Sequence, residues 1–485
     1  MDNYEEIKNV FSIPSKGRIY FVGIGGISMS GLSEMATFMG FACAGSDSHL
    51  SERTKRLEEK GIPVFPQTDE TSIQAFAPDL VVFTSAILPG NPELSYAKKN
   101  QIPTLGRAEF LGRITESFQN VINISGTHGK TTTTAMTSLI LIQSGIDPTV
   151  HLGAELLDFD GTIRMGEKEK LLVSEACEFQ RNFLHFRSTT AAITNIDYDH
   201  VDCFFSLDEV IDVFAQFTQK LDSDGTLVVP AFDKNVEKAL QLMPKYRKSL
   251  GLLPPKIIST GKKEDVFFLT GRAPDVYADS IEYKTGFPSF DVYADGQFFA
   301  HIQLFVPGEH NIYNALTAIA CAKQYGATAK GVEAALSCFK GAEGRFTIKG
   351  SFQGASIVAD YAHHPAAARA TLQAASSIPH QKTWVVFQPL TYKRTEILFD
   401  DYVNSLLPCT HIIFAEIFSD REINTGTISS SQIADAINEK GGNAEFIPEK
   451  SDIKKRLSEL VQKDDLILLL GPEDIRDFSE ELIKE

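Results

Sequence analysis

The sequence predicts an α/β protein of three successive units, each a largely parallel sheet covered by helices. Three observations lead there. The chain has 485 residues, which at roughly 150 residues per domain favours about three domains. Continuous apolar runs of strand length alternate with helical patterns, as expected of strands buried on both faces. Two of those runs, at 18–23 and 121–126, lead directly into glycine-rich loops followed by helical patterns.

Residues 1–115 form the first unit. RIYFVG (18–23) reads as a strand, a helix follows from about Met29 to Met39, and FACAGSD (41–47) and DLVVFTSAI (79–87) read as later strands. The second unit, 116–340, opens with VINISG (121–126) and continues through KLLVSEA (170–176), TTAAITNI (189–196) and TLVVPA (226–231). The Lys-, Leu- and Pro-rich stretch from Lys245 to Lys263 reads as a connection. Alternation in FPSFDVYADGQFFAHIQLFV (287–306) predicts an antiparallel β appendage, and two helical patterns, 311–325 and 330–339, close the unit. In the third unit, 341–485, ASIVADYA (355–362), TWVVFQP (383–389), HIIFAEIF (411–418) and DDLILLLG (464–471) read as four strands with helices between them.

Composition bounds the partners. Hydrophobic residues make up 43% and charged residues 22%, an ordinary globular balance. The net charge of −17 argues against a general nucleic-acid or anionic-membrane surface while leaving room for a local phosphate pocket. No apolar run approaches the ~20 residues of a membrane span, and the start, MDNYEEIKNVF, lacks the basic-then-apolar layout of a signal peptide. The 6 cysteines include no CxxC pair, so neither a disulfide framework nor a zinc knuckle is expected. These features predict a cytoplasmic protein, a monomer or weak homodimer, with small-molecule rather than nucleic-acid or membrane partners.

The most informative stretch is VINISGTHGKTTTT (121–134). A strand, the loop Gly126-Thr127-His128-Gly129-Lys130-Thr131 and a helix stand in the order a phosphate loop needs. Glycines let backbone N–H groups curl around phosphate oxygens, and the helix start adds partial positive charge. Lys130 would reach the β/γ-phosphates and the Thr131 hydroxyl would hold Mg²⁺. Ile124 stands where the common motif has its first glycine, so this is a short GxxGKT form. ATP binding follows. Glu175, at the end of KLLVSE, lies where parallel sheets place ligand groups and reads either as a salt-bridge partner or as a second oxygen ligand. His200, in TNIDYDH, reads alone as a loop histidine, and as a ligand only within a mixed site.

The earlier turn, Gly23-Ile24-Gly25-Gly26-Ile27-Ser28, offers N–H groups to a diphosphate, and Asp47, ending the next strand, stands where an acidic residue meets a ribose hydroxyl. Ser28 replaces the third glycine of the dinucleotide pattern. A nicotinamide cofactor, a nucleotide-diphosphate sugar and a structural turn all remain compatible.

Taken together, the blocks GIGGISMSGL (23–32), SGTHGKTTTT (125–134), EACEFQRNFLHF (175–186), TNIDYDHVD (194–202), GEHNIYNAL (308–316), DYAHHP (360–365), FQPLTYKRT (387–395) and LLLGPEDI (468–475) resemble the Mur ligases, in order and over nearly the whole chain. The resemblance implies an N-terminal Rossmann-like domain for a UDP-sugar, a central P-loop ATPase domain and a C-terminal Rossmann-like domain closing over the site. It implies that Lys130 grips the transferred phosphoryl group, that Thr131, Glu175 and His200 organise Mg²⁺, and that His310, Asn311 and Asn314 lie by the adenine. Arg345 and Asp360 would reach the nucleotide phosphates and ribose, and His363, His364 and Arg394 the incoming amino acid. Three positions depart from the family pattern: Leu390 replaces a usual His, Glu473 a frequent Gly, and Gly344-Arg345 a pair of arginines before Phe346.

The implied activity is ATP-dependent joining of L-alanine to UDP-N-acetylmuramate, a step of peptidoglycan synthesis. A carboxylate is a poor electrophile, and phosphorylating it yields an acyl phosphate with a good leaving group. No enzyme nucleophile is needed, in keeping with a sequence that offers no convincing Ser/His/Asp or Cys/His set. The alternatives are a ligase adding another amino acid or a preformed cell-wall peptide, a nicotinamide-dependent oxidoreductase built on the first glycine turn, and a non-catalytic nucleotide-binding regulator.

Overall fold

Three sheets, each buried between helices, organise the chain. The structure, a computed structural model, describes residues 17–484 other than 67–68, 85–86, 88–89, 160, 167–169 and 420–421. The N-terminal stretch MDNYEEIKNVF lies outside the described residues. The first sheet holds β1 (Arg18–Val22), β2 (Ala42–Asp47), β3 (Val64–Pro66), β4 (Leu80–Phe83) and β5 (Thr104–Gly106) in the order β3-β2-β1-β4-β5. All its pairings are parallel. Ile19, Tyr20, Phe21 and Val22 are fully buried, which is why β1 reads as an unbroken apolar run.

The central sheet has ten strands: β6 (Asn120–Ser125), β7 (Thr149–Leu156), β8 (Gly161–Arg164), β9 (Leu171–Glu175), β10 (Ser188–Ile193), β11 (Leu221–Pro230), β12 (Lys256–Lys262), β13 (Val276–Lys284), β14 (Phe287–Ala294) and β15 (Gln297–Gln303). Their order is β15-β14-β13-β12-β11-β10-β6-β9-β7-β8. The third sheet comprises β16 (Thr347–Phe352), β17 (Ala355–Asp360), β18 (Thr383–Phe387), β19 (His411–Phe414), β20 (Ala444–Phe446) and β21 (Leu466–Leu470), ordered β16-β17-β21-β18-β19-β20. Among the described residues no helix is long and apolar enough to cross a membrane.

Two sequence expectations are corrected here. The stretch Lys245–Lys263 is not a connection: it contains the end of the helix Lys234–Ser249 and all of β12. The buried Arg247 holds that helix end despite Pro244, because its Nη1 donates to the carbonyls of Thr218 (2.5 Å) and Leu221 (3.0 Å) and its Nε to that of Leu253 (2.7 Å). The strands of 287–306 are antiparallel, as expected, but they extend the central sheet rather than stand apart from it. β13 pairs parallel with β12, and β14 and β15 then continue the same sheet antiparallel.

The first and central domains share one hydrophobic core, in which Ile19, Phe21 and Phe110 belong to the same cluster as Phe183, Phe214 and Phe217. A polar contact reinforces that seam: Ser28 Oγ lies 3.0 Å from His151 Nε2 in the central domain, and Arg107 Nη1 of the first domain donates to the same Ser28 Oγ at 3.1 Å. The third sheet keeps separate clusters on its two faces, into one of which the central domain inserts Val201. At the first seam, helix Ile27–Phe38 meets β8 so closely that a Cβ on Gly31 would stand 2.5 Å from Ile163 Cγ1. Gly31→Val is therefore expected to destabilise the chain by roughly 1–3 kcal/mol through overpacking. A thermal melt checks this, and an unchanged Tm would contradict the close packing of the two domains.

Candidate active site

The C-terminal ends of β6, β9 and β10 face a cavity of about 1300 Å³ that is walled by all three domains. In a parallel sheet the loops at these ends carry the ligand groups. The loop after β6 turns through Gly126 (φ +133°) and Gly129 (φ +83°), and each glycine is required. A Cβ on Gly126 would lie 2.0 Å from Thr194 Oγ1, and one on Gly129 would lie 2.4 Å from Asn314 Oδ1.

The loop is braced from behind. His128 N donates to Asn195 Oδ1 (2.9 Å), while Thr194 Oγ1 and Asn195 Nδ2 donate to the His128 carbonyl (2.6 and 2.9 Å). Asp197 N donates to Thr127 Oγ1 at 2.8 Å. The helix Lys130–Gln143 that follows has no side-chain cap and no acidic residue in its first turn, so its leading N–H groups are left for an anion.

Lys130 is the centre of the arrangement. Its Nζ donates to the carbonyls of Gly126 (2.5 Å) and Thr127 (3.1 Å) and to both oxygens of Glu178 (3.2 and 3.0 Å). Burial works against the ammonium, but Glu178 beside it outweighs that and holds its pKa above the ordinary value. Glu178 is itself 2% exposed, so its carboxylate depends on Lys130 rather than on water for its countercharge. Sequence reasoning missed Glu178, although it lies three residues beyond Glu175 within EACEFQ.

Thr131 Oγ1 donates to Glu175 Oε2 at 2.9 Å, and Gly153 N donates to the same oxygen at 3.0 Å. This hydroxyl–carboxylate pair is an oxygen donor set that suits Mg²⁺. His200 approaches Glu178 instead, with Nε2 3.7 Å from Oε1, and its Nδ1 is buried without a hydrogen-bond partner. Its ring packs on Phe179, and burial lowers its pKa. Cys177, Glu178 and His200 offer ligand atoms within 4.8 Å of one another, a grouping the sequence did not suggest.

His310, Asn311 and Asn314 stand on the helix His310–Lys323 and line the same cavity. Burial holds His310 at about 4. The two amides form a chain: Asn311 Nδ2 donates to the Pro307 carbonyl (2.7 Å), Asn314 Nδ2 to Asn311 Oδ1 (3.0 Å), and Thr133 Oγ1 to Asn314 Oδ1 (3.2 Å). Asn314 is thus a buttress of the phosphate-loop helix, whose N-terminal glycine sits against it.

The third domain contributes Arg345, Asp360, His363, His364 and Arg394 to the wall. Asp360 Oδ2 accepts from Phe346 N (3.0 Å) and Thr371 Oγ1 (3.2 Å), and burial raises its pKa. His364 is the N-cap of the helix Pro365–Ser376, accepting at Nδ1 from Ala366 N, and its Nε2 lies 3.2 Å from the Tyr198 carbonyl. His128 Nε2 stands 3.5 Å from Asp197 and holds that carboxyl down to about 2.

Arg394 is 2% exposed and donates through both Nε (3.0 Å) and Nη2 (2.7 Å) to Asp199 Oδ1. It is not a free surface arginine. Arg476 was missed because it falls one residue beyond the block LLLGPEDI. Its guanidinium and that of Arg345 each lie 5.1 Å from the Tyr361 ring, and its Nη1 stands 1.9 Å from where a Cβ on Gly344 would be. The second arginine of the family pattern is thus absent at position 344, and the Arg476 guanidinium occupies its space.

Gly23, Gly25, Gly26 and Asp47 are not among the residues lining the large cavity, although Ile27 and Arg53 beside them are. Asp47 is engaged in its own turn, with Oδ2 accepting from Gly25 N (2.8 Å) and Oδ1 from His49 N (2.9 Å).

A phosphate loop enclosed between two flanking α/β domains defines a P-loop protein that handles its nucleotide at a domain junction. The chain belongs to the Mur ligase family: the family's catalytic domain matches residues 18–119, its middle domain 124–322 and its glutamate ligase domain 344–472. It is 39% identical, over 96% of its length and 98% of the relative's, to the UDP-N-acetylmuramate–L-alanine ligase of Lachnospira eligens. It is also 39% identical, over 94% of its length and 95% of the relative's, to the enzyme of the same name from Clostridium acetobutylicum. Among solved structures it is similar to the UDP-N-acetylmuramate–alanine ligase MurC of Thermotoga maritima, with a TM-score of 0.77 and 26% identity over 96% of this chain and 98% of that one. The murein peptide ligase of Psychrobacter arcticus shares the fold at a TM-score of 0.68, with 24% identity over 96% of this chain and 98% of that one.

Because Lys130 and Glu178 neutralise each other in a buried setting, Glu178→Ala leaves an unpaired charge. It is expected to lower stability by about 3–5 kcal/mol. Saturating ATP should restore much of the loss, since phosphate oxygens then take over the ammonium. Thermal unfolding with and without ATP checks both parts, and a melt unmoved by Glu178→Ala would contradict the pairing.

Proposed function

We propose that the chain joins the amino group of L-alanine to the carboxylate of UDP-N-acetylmuramate, converting ATP to ADP and phosphate, in peptidoglycan precursor synthesis. The observation that carries the reading is Lys130, paired with the buried Glu178 at the head of a phosphate loop and facing a cavity that the third domain walls with Arg345, Asp360 and Arg394. Full-length relatives carrying this activity in their names support it.

The chemistry follows from the geometry. Backbone N–H groups at the start of the helix Lys130–Gln143 hold the phosphates, and Lys130 neutralises charge that develops on the transferred group. Transfer of the γ-phosphoryl group to the sugar-borne carboxylate gives an acyl phosphate. The amine attacks its carbonyl carbon, and phosphate leaves the tetrahedral intermediate. Thr131 and Glu175 would hold Mg²⁺, with His200 nearby; when bound, the ion supplies charge neutralisation at the phosphates. Closing the third domain over the cavity keeps water from the acyl phosphate. The reading carries with it a cytoplasmic reaction, where ATP and nucleotide sugars are found.

The glycine turn Gly23–Gly26 and Asp47 remain our assignment for the UDP-sugar, with Asp47 shaping the turn through Gly25 rather than presenting a free carboxylate. That use of Asp47 weakens the nicotinamide alternative. A second ligase reading, another amino acid or a preformed peptide as the amine donor, is favoured by Leu390, which lines the cavity beside Phe418 and Arg394 where the family usually has a histidine.

Lys130→Ala is expected to lower the rate of ADP release by roughly 100-fold or more. EDTA should stop turnover and added Mg²⁺ should restore it. The assay uses UDP-N-acetylmuramate with L-alanine, glycine, L-serine or a tripeptide in turn. Full-speed turnover by the Lys130→Ala chain ends the mechanism, and indifference to L-alanine transfers the assignment to whichever donor stimulates release.

A further inference from the structure

We propose that Asp199 is a positioning residue, one that holds the Arg394 guanidinium by a single edge so that Nη1 is presented to the carboxylate of the amine donor. The inference rests on the ligase reading above and extends it to a residue and a coupling that reading does not contain.

The pair is unusual in its geometry. An arginine and a carboxylate commonly meet as two parallel hydrogen bonds, one to each oxygen. Here Nε and Nη2 both converge on Oδ1, at 3.0 and 2.7 Å. Nη1 is left outside the pair, buried and without a hydrogen-bond partner. A guanidinium has five N–H donors, and a buried donor without an acceptor is disfavoured unless something else supplies one. Arg394 lines the large cavity, and an anionic group bound there is the acceptor we assign to Nη1.

The pair also spans the seam between two domains. Asp199 lies in the central domain, on the loop after β10, and Arg394 lies in the third, on the short helix Tyr392–Ile397. Their side chains are 8% and 2% exposed. Undocking the third domain would separate them, and Arg394 would then have no fixed orientation. Asp199 therefore makes donor recognition conditional on closure. The same oxygen accepts from the backbone N–H of His200 at 2.6 Å, in a turn where His200 has φ +52°. One carboxylate oxygen thus fixes both the third-domain guanidinium and the loop that carries His200. Burial opposes its charge, and the Arg394 guanidinium more than offsets this, holding the carboxyl well below the usual range.

The test is steady-state kinetics on the full chain, comparing wild type, Asp199→Asn, Arg394→Ala and the double variant. Asp199→Asn is expected to raise the KM for L-alanine roughly tenfold or more while the KM for ATP stays within about twofold. If Asp199 acts through Arg394, the double variant will be no worse than Arg394→Ala alone. Should Asp199→Asn fail to fold, Asp199→Glu keeps the charge and displaces it by one methylene, and the same rise in the L-alanine KM is expected. An unaltered KM in the folded variant, or effects that multiply in the double variant, overturns the inference while leaving the ligase reading intact. A wild-type chain that releases no ADP with L-alanine and UDP-N-acetylmuramate removes the ligase reading, and this inference with it.

Discussion

A positive charge cannot be left alone in a protein interior, and the Lys130 ammonium is the charge around which this site is built. Two backbone carbonyls and the Glu178 carboxylate surround it. Meeting that requirement sets where β9 must end, because the segment carrying Glu178 leaves that strand directly. It also fixes the path of the loop, whose carbonyls point at the ammonium from Gly126 and Thr127 while the N–H groups of Thr127 and His128 donate to Asn195. The glycines make that path sterically possible, and the segment from Thr194 to Asp197 braces it from behind. A triphosphate entering such a site offers the lysine an alternative anion, so the resting contacts and the bound contacts are interchangeable.

How much of this could be read from residues alone depended on the distance over which each part acts. The phosphate loop was legible because strand, glycines, lysine and hydroxyl sit within fourteen consecutive positions. Buried parallel strands were legible as apolar runs. The three-residue strands β3, β5 and β20 were not, being too short to make a run. Arg247 sits in a stretch whose lysines and prolines suggest a loop, and only its bonds to distant carbonyls explain the ordered helix end. Glu178 pairs with a lysine 48 positions earlier and Arg394 with an aspartate 195 positions earlier, and nothing local marks either partnership. Asp47 was placed correctly at the end of its strand, but its carboxylate is engaged by the backbone of its own neighbourhood.

The three domains are not joined alike. The first and central ones share a single apolar core, closed at Gly31 by a contact too tight for a methyl group. The third has a core on each face of its sheet, admits Val201 of the central domain into one of them, and also meets that domain through polar contacts such as Arg394 with Asp199 and Glu343 N with the Glu155 carbonyl at 3.1 Å. Apolar seams resist separation over wide areas, whereas polar ones can exchange partners with water or ligand. The architecture therefore joins two domains that share one core to a third whose seam mixes an inserted apolar side chain with buried polar pairs.

Gly344 and Arg476 share one volume. With a left-handed backbone at 344 and a guanidinium lodged where its Cβ would be, neither position is free to change by itself. A lineage descending from this chain could regain a side chain at 344 only after residue 476 had shortened or swung aside, and shortening 476 first would open a gap beside Tyr361. Inheritance at the two sites is thus tied, although 131 intervening residues separate them along the chain.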